Sequence, residues 1–69
     1  MQISARNRLK GTVIEVTKGA TTAHVRIDIG GGSTVTASIT NEAVDELDIS
    51  VGKTAYAVVK ASDVMVAVD

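Results

Sequence analysis

The chain has no cysteine, no proline, no tryptophan and no phenylalanine among its 69 residues. Without cysteine it forms no disulfide, iron–sulfur cluster or thiolate zinc site. Tyr56 is the single aromatic residue. A row of exposed rings that would stack on single-stranded nucleic acid is therefore missing. One histidine, His24, is too few for a His-rich metal site and argues against a hydrolytic triad. Seven basic and eight acidic residues leave a net charge of −1, so bulk positive charge does not hold nucleic acid here. No apolar run approaches the roughly 20 residues that cross a bilayer. No charged-then-apolar leader opens the chain, so a cytoplasmic location and no membrane partner are expected.

What is abundant is apolar. Hydrophobic residues make up 45% of the sequence, and the mean hydropathy is +0.24. A domain of about 60 residues buries only roughly 60% of its unfolded surface and is marginal alone. Small domains compensate with disulfides, metals or oligomerisation. The first is excluded and the second disfavoured, so a homo-oligomer is the economical expectation. The length fits one domain, residues 1–69.

β-branched residues dominate between the glycines. Leu9 to Thr17 reads as a first strand, with Lys18-Gly19 at its turn. Thr21 to Ile29 alternates strictly: Ala23, Val25, Ile27 and Ile29 share one face, His24, Arg26 and Asp28 the other. Gly30-Gly31-Gly32 predicts a hairpin turn. Thr34 to Ile39 is the third strand, with Val35, Ala37 and Ile39 facing inward. The pattern then changes. Thr40 is an N-cap candidate, acids follow in the first turn, and Ala43, Val44 and Leu47 are apolar, which predicts a two-turn helix. After a loop at Ile49 to Gly52, Lys53 to Lys60 and Val64 to Val68 read as a fourth and a fifth strand. Both are apolar on both faces, the signature of burial on both sides. A central strand in a small barrel or a face covered by another subunit would each produce it. The expected fold is all-β: a five-stranded OB-like barrel with one short helix between strands 3 and 4.

Charge is uneven. Five basic residues accompany one acid, Glu15, between Met1 and Arg26; two lysines accompany seven acids from Ile27 onward. Ser4-Ala5-Arg6-Asn7 packs a hydroxyl, a guanidinium, an amide and consecutive backbone N–H groups into four residues. The planar fork of Arg6 suits a tetrahedral oxyanion; a polar arm that caps the barrel is the plainer reading. Lys60 closes an apolar strand just before Ala61-Ser62, so its stem is expected to be buried and its ammonium aimed at a partner, although strand-end lysines commonly snorkel. Thr40 opens a helix whose N–H groups attract anions, or it is an ordinary cap. No nucleophile–base pair, phosphate loop or paired carboxylates appear, which argues against an enzyme.

The opening Ile3-Ser4-Ala5-Arg6-Asn7-Arg8-Leu9-Lys10-Gly11 closely resembles the start of the molbindins, or Mop proteins, small cytoplasmic molybdate-binding proteins. The resemblance continues through Lys18-Gly19, Ser38-Ile39-Thr40, Val44-Asp45-Glu46-Leu47 and Val51-Gly52-Lys53, and ends in Val59-Lys60-Ala61-Ser62-Asp63-Val64-Met65. It departs at Arg8, where many relatives carry Gln. The resemblance implies an OB-like barrel assembled as a hexamer, a trimer of dimers. It implies molybdate, and usually tungstate, bound at subunit interfaces, with no organic cofactor and no metal ligated directly by protein. It favours intracellular molybdenum storage. Carried over by position, Ser4, Ala5 and Arg6 would meet Lys60 and Ala61, with Thr40 and the amides near Ala43 from a neighbouring subunit. A second kind of site near three-fold axes would fall at Lys18, Gly19, Ala20 and Thr22. The first set contains donors and no carboxylate, which suits a fully deprotonated anion. Hydrogen phosphate, whose proton needs an acceptor, would pay roughly 1–3 kcal/mol for the unmatched bond. Sulfate must be rejected by size. Two other readings stay open: an OB-type nucleic-acid-binding domain and a purely structural oligomerisation module.

Overall fold

The computed structural model covers residues 1–69 and contains four strands, one short helix and a closing 3₁₀ turn. β1 is Asn7–Lys18, β2 Thr22–Gly30, β3 Ser33–Thr40, α1 Asn41–Glu46 and β4 Thr54–Val59; the 3₁₀ turn is Ala61–Asp63. The strands form one antiparallel sheet in the order β3-β2-β1-β4. β1 is therefore central: its first half pairs with β4, from Asn7 opposite Val59 to Thr12 opposite Thr54, and its second half with β2.

Two sequence features let β1 serve both partners. The register slips between Val13 and Glu15, a bulge at Ile14. Gly11 and Val13 point inward before the bulge, and the slip brings Val16 inward after it, while Ile14 is turned out. Gly11 lies against the backbone of β2. A Cβ built there would collide with the carbonyl oxygen of Asp28 and approach Ile27 Cγ2 at 2.7 Å. Only glycine permits that approach without displacing backbone. The β2–β3 turn is glycine for a different reason: Gly30, Gly31 and Gly32 have φ of 91°, 63° and 81°, the region that side chains avoid.

The strict alternation of β2 places Ala23, Val25 and Ile27 in the core with Val13, Val44 of α1 and Ala57 of β4. Val35 and Ile39 of β3 pack against that cluster. The sheet curls, but the outer edges of β3 and β4 are not joined. Between them runs an apolar groove of about 350 Å³, lined by residues including Val35, Ile39, Ile49, Ala55, Tyr56 and Val58.

The fifth strand expected at Val64 to Val68 does not form within one chain. The segment carries no strand pairing, and Met65, Val66 and Val68 are about nine-tenths exposed, at 93%, 88% and 91%. β1 already has a neighbour on each side, and the tail after the 3₁₀ turn pairs with neither free edge. Only 6 of 69 residues are buried, and the accessible surface is 5245 Å². A compact monomer of 7.1 kDa exposes about 4,100 Å². The excess of about 1,100 Å² is larger than one partner's share of a standard protein–protein interface.

Candidate functional site

The N-terminal arm leads into β1, and the segment after β4 leaves from the strand beside it. The pairing of Asn7 with Val59 therefore brings the two ends of the motif together. Asn7 Nδ2 tightens the junction by donating to the carbonyl of Val59 at 3.2 Å. Ser4, Ala5, Arg6, Lys60 and Ala61 all line one open pocket of about 660 Å³, although more than 50 positions separate the two segments. The remaining lining comes from Val58, Ser62 and Asp63.

Three cations of the chain are committed to carboxylates. Lys18 pairs with Asp45 at 2.7 Å, Arg26 with Glu15 at 3.3 Å and Lys53 with Asp48 at 3.3 Å. Arg6 and Lys60 are in none of these pairs, and no hydrogen bond within the chain engages their side chains. Two unpaired cations facing one pocket attract an anion, which both can meet with charge-assisted hydrogen bonds. The expectation that the Lys60 stem is buried does not hold within one chain, where Lys60 is exposed. β4, an edge strand of the sheet, ends one residue before it, at Val59.

Thr40 and Ala43 lie elsewhere. β1 is 12 residues long, so its two ends are roughly 30 Å or more apart along the strand. The pocket is at the Asn7 end. Thr40 pairs with Thr22 beside the Lys18 end. Thr40 is a genuine N-cap: its Oγ1 accepts the Ala43 N–H at 3.0 Å, so that amide is already satisfied within the chain. Lys18, Gly19, Ala20 and Thr22 gather at the same end. Gly19 N donates to Thr22 O at 2.8 Å, and Asn41 Nδ2 donates to Gly19 O at 2.9 Å. The Lys18 ammonium there is held by Asp45, and the one buried polar atom without a partner is the acceptor Asn41 Oδ1. Its environment offers an oxyanion less than the Arg6–Lys60 pocket does.

Sequence reasoning missed Ser62 and Asp63 as lining residues. Their signal was adjacency to the Lys60-Ala61 motif, because the 3₁₀ turn curls them back over the pocket, with Asp63 N donating to Lys60 O at 2.9 Å. Asp63 also means that the pocket is not made of donors alone.

A curled antiparallel sheet with a short helix after β3 and an open cationic pocket describes a small anion-binding domain. Comparison with known proteins is consistent with that. The TOBE domain family matches residues 3–66, and the chain belongs to it. It is 51% identical to a probable molybdenum-pterin-binding protein of Haemophilus influenzae across the full length of both chains. MopII from Clostridium pasteurianum superposes with a TM-score of 0.90 at 45% identity, over 97% of this chain and all of that one. The cytoplasmic molybdate-binding protein ModG, in a form with molybdate bound, also gives a TM-score of 0.90 at 45% identity, over 94% of this chain and 46% of that one. The resemblance to the Mop proteins is thereby established, and the OB-like fold class with it. This is a binding protein rather than an enzyme. No helix is long and apolar enough to cross a membrane.

Proposed function

We propose that the chain binds molybdate, and tungstate by the same chemistry, at sites shared between subunits of a cytoplasmic homo-oligomer that stores molybdenum. The observation that carries this reading is the convergence of Ser4, Ala5 and Arg6 with Lys60 and Ala61 on one pocket whose two cations have no carboxylate partner. A dianion leaving water needs such compensation. The subunit-shared character is supported by the distance between this pocket and Thr40. One chain cannot bring both to the same anion, whereas the Thr40 end of a neighbour can approach it.

Assembly has its own physical support. The tail from Val64 to Val68 is apolar and exposed, and the groove between the unjoined edges of β3 and β4 is apolar and open. The occupant that fits the groove is the tail of a second copy. It would supply the backbone groups that both edges lack and bury side chains that otherwise meet water. A hexamer built as a trimer of dimers is the assembly we propose, with no nucleic acid as partner.

Equilibrium dialysis with labelled molybdate at neutral pH tests the reading. Retention of molybdate, displaced well by tungstate, is the expected result. A chain that assembles but retains no molybdate refutes it, and leaves a structural oligomerisation module.

A further inference from the structure

The pocket holds a residue that its charge logic does not call for. Asp63 lines it together with Arg6 and Lys60, yet it lies beyond 4.0 Å from both cations and its carboxylate makes no hydrogen bond within the chain. The 3₁₀ turn fixes its backbone beside Lys60, where Asp63 N donates to Lys60 O at 2.9 Å, and leaves the carboxylate free to meet a bound anion. We infer that Asp63 is the selectivity residue of the oxyanion pocket: it opposes fully deprotonated dianions and favours those that carry a proton. This inference rests on the function proposed above.

Two effects act together. Toward molybdate the carboxylate is only a like charge, with no proton to accept. Toward inorganic phosphate at neutral pH, which keeps at least one proton, the same carboxylate is an acceptor for the P–O–H group. The repulsion is smaller as well, because part of the phosphate is monoanionic. Asp63 therefore narrows the preference for molybdate that Arg6, Lys60 and the hydroxyls of Ser4 and Ser62 create. It also keeps the hold on molybdate from becoming as tight as two cations alone would make it, which suits a site that must give its anion up.

The test compares wild type with Asp63→Asn, Asp63→Glu and Asp69→Asn. Sodium molybdate and inorganic phosphate are titrated into each by calorimetry, and assembly is followed by sedimentation. Asp63→Asn removes the charge and preserves the shape. A unit charge about 6 Å from a dianion, at a dielectric between that of water and a protein surface, is worth about tenfold or more in affinity. Molybdate should bind Asp63→Asn about tenfold more tightly, phosphate should gain less, and the ratio of the two should widen. Asp69→Asn, six residues further along the chain, should track wild type; Asp63→Glu, which keeps the negative charge, should lack the molybdate gain of Asp63→Asn. An unchanged ratio, an equal gain for both anions, or an equal effect at Asp69 overturns the inference. Should the Asn variant fail to assemble, Asp63→Ser is read in the same way. A wild-type chain that binds no molybdate overturns the function reading itself, a result distinguishable from a molybdate-binding wild type that Asp63→Asn leaves unaltered.

Discussion

Val66→Asp places a charge where the tail should meet a second copy. Val66 is 88% exposed within one chain and outside the core cluster. Its cost inside a single subunit is therefore near zero, and its whole effect falls on assembly. Burying one valine side chain is worth about 1.5 kcal/mol. If two subunits exchange tails, each dimer contains the contact twice, so about 3 kcal/mol is lost on the apolar account alone. That weakens dimerisation by roughly 150-fold. A carboxylate pressed against Val35, Ile39 and Val58 of the groove adds a desolvation cost of several kcal/mol. Sedimentation velocity from high micromolar to nanomolar concentration should show wild type fully assembled and Val66→Asp shifted to single chains. Val66→Ile, which keeps the apolar surface, should stay assembled. If Val66→Asp sediments like wild type at every concentration, the groove is not where the tail goes, and the interface must be sought elsewhere on the sheet.

The remaining expectations concern the pocket and the sheet. Lys60→Met keeps the stem and removes the ammonium; it should leave assembly intact and weaken molybdate by about 2–5 kcal/mol, or roughly 30- to several-thousand-fold, in equilibrium dialysis. Arg6→Gln should behave alike, and the double variant should lose less than the two single losses added, as residues sharing one site do. Gly11→Ala forces a methyl into the Asp28 carbonyl; thermal unfolding should show a loss of about 2 kcal/mol or more, and an unshifted transition would mean that β1 and β2 separate more easily than their pairing implies. Asp45→Asn breaks an ion pair whose side chains are 45% and 69% exposed, so stability should change by less than about 1 kcal/mol, while the freed Lys18 tests the turn as an anion site: molybdate stoichiometry per subunit should stay as in wild type.

Much of the fold was legible because β2 carries period 2 without exception. Its inward face, Ala23, Val25 and Ile27, is the buried centre of the molecule, and the glycine run fixes the hairpin beyond it. The helix was legible from its cap, since Thr40 Oγ1 accepts the Ala43 N–H as a cap should. Its extent was read slightly long, because Leu47 is the C-cap rather than a helical residue. The bulge at Ile14 was not legible. Val13-Ile14-Glu15-Val16 offers apolar residues to both faces, and only pairing with two different strands decides which turns out. The fifth strand was legible as an apolar segment but not as an element, because hydropathy reports that a segment wants burial and not which chain supplies the cover. For the pocket, Arg6 and Lys60 stood out through their chemistry and the family likeness. Asp63 did not, since a 3₁₀ turn, invisible in a pattern of residue types, carries it back over the site.

Val58 lines both the Arg6–Lys60 pocket and the apolar groove, and under the proposed function this joins binding to assembly. The segment from Lys60 to Asp63 is at once the wall of the pocket and the connection between β4 and the tail. Wherever a second copy's groove draws the tail, it sets the direction in which that connection leaves β4, and so the positions of Lys60 and Asp63 around the anion. The converse follows from thermodynamic linkage: an anion that binds only the geometry adopted in the assembly stabilises the assembly, by about 2.7 kcal/mol at a hundredfold excess over its dissociation constant. A chain with only six buried residues has little stability of its own to lend to a preformed site. Under the proposed function, its pocket is ordered by the same contacts that hide its surplus apolar surface, and binding the anion and making the oligomer are physically one process.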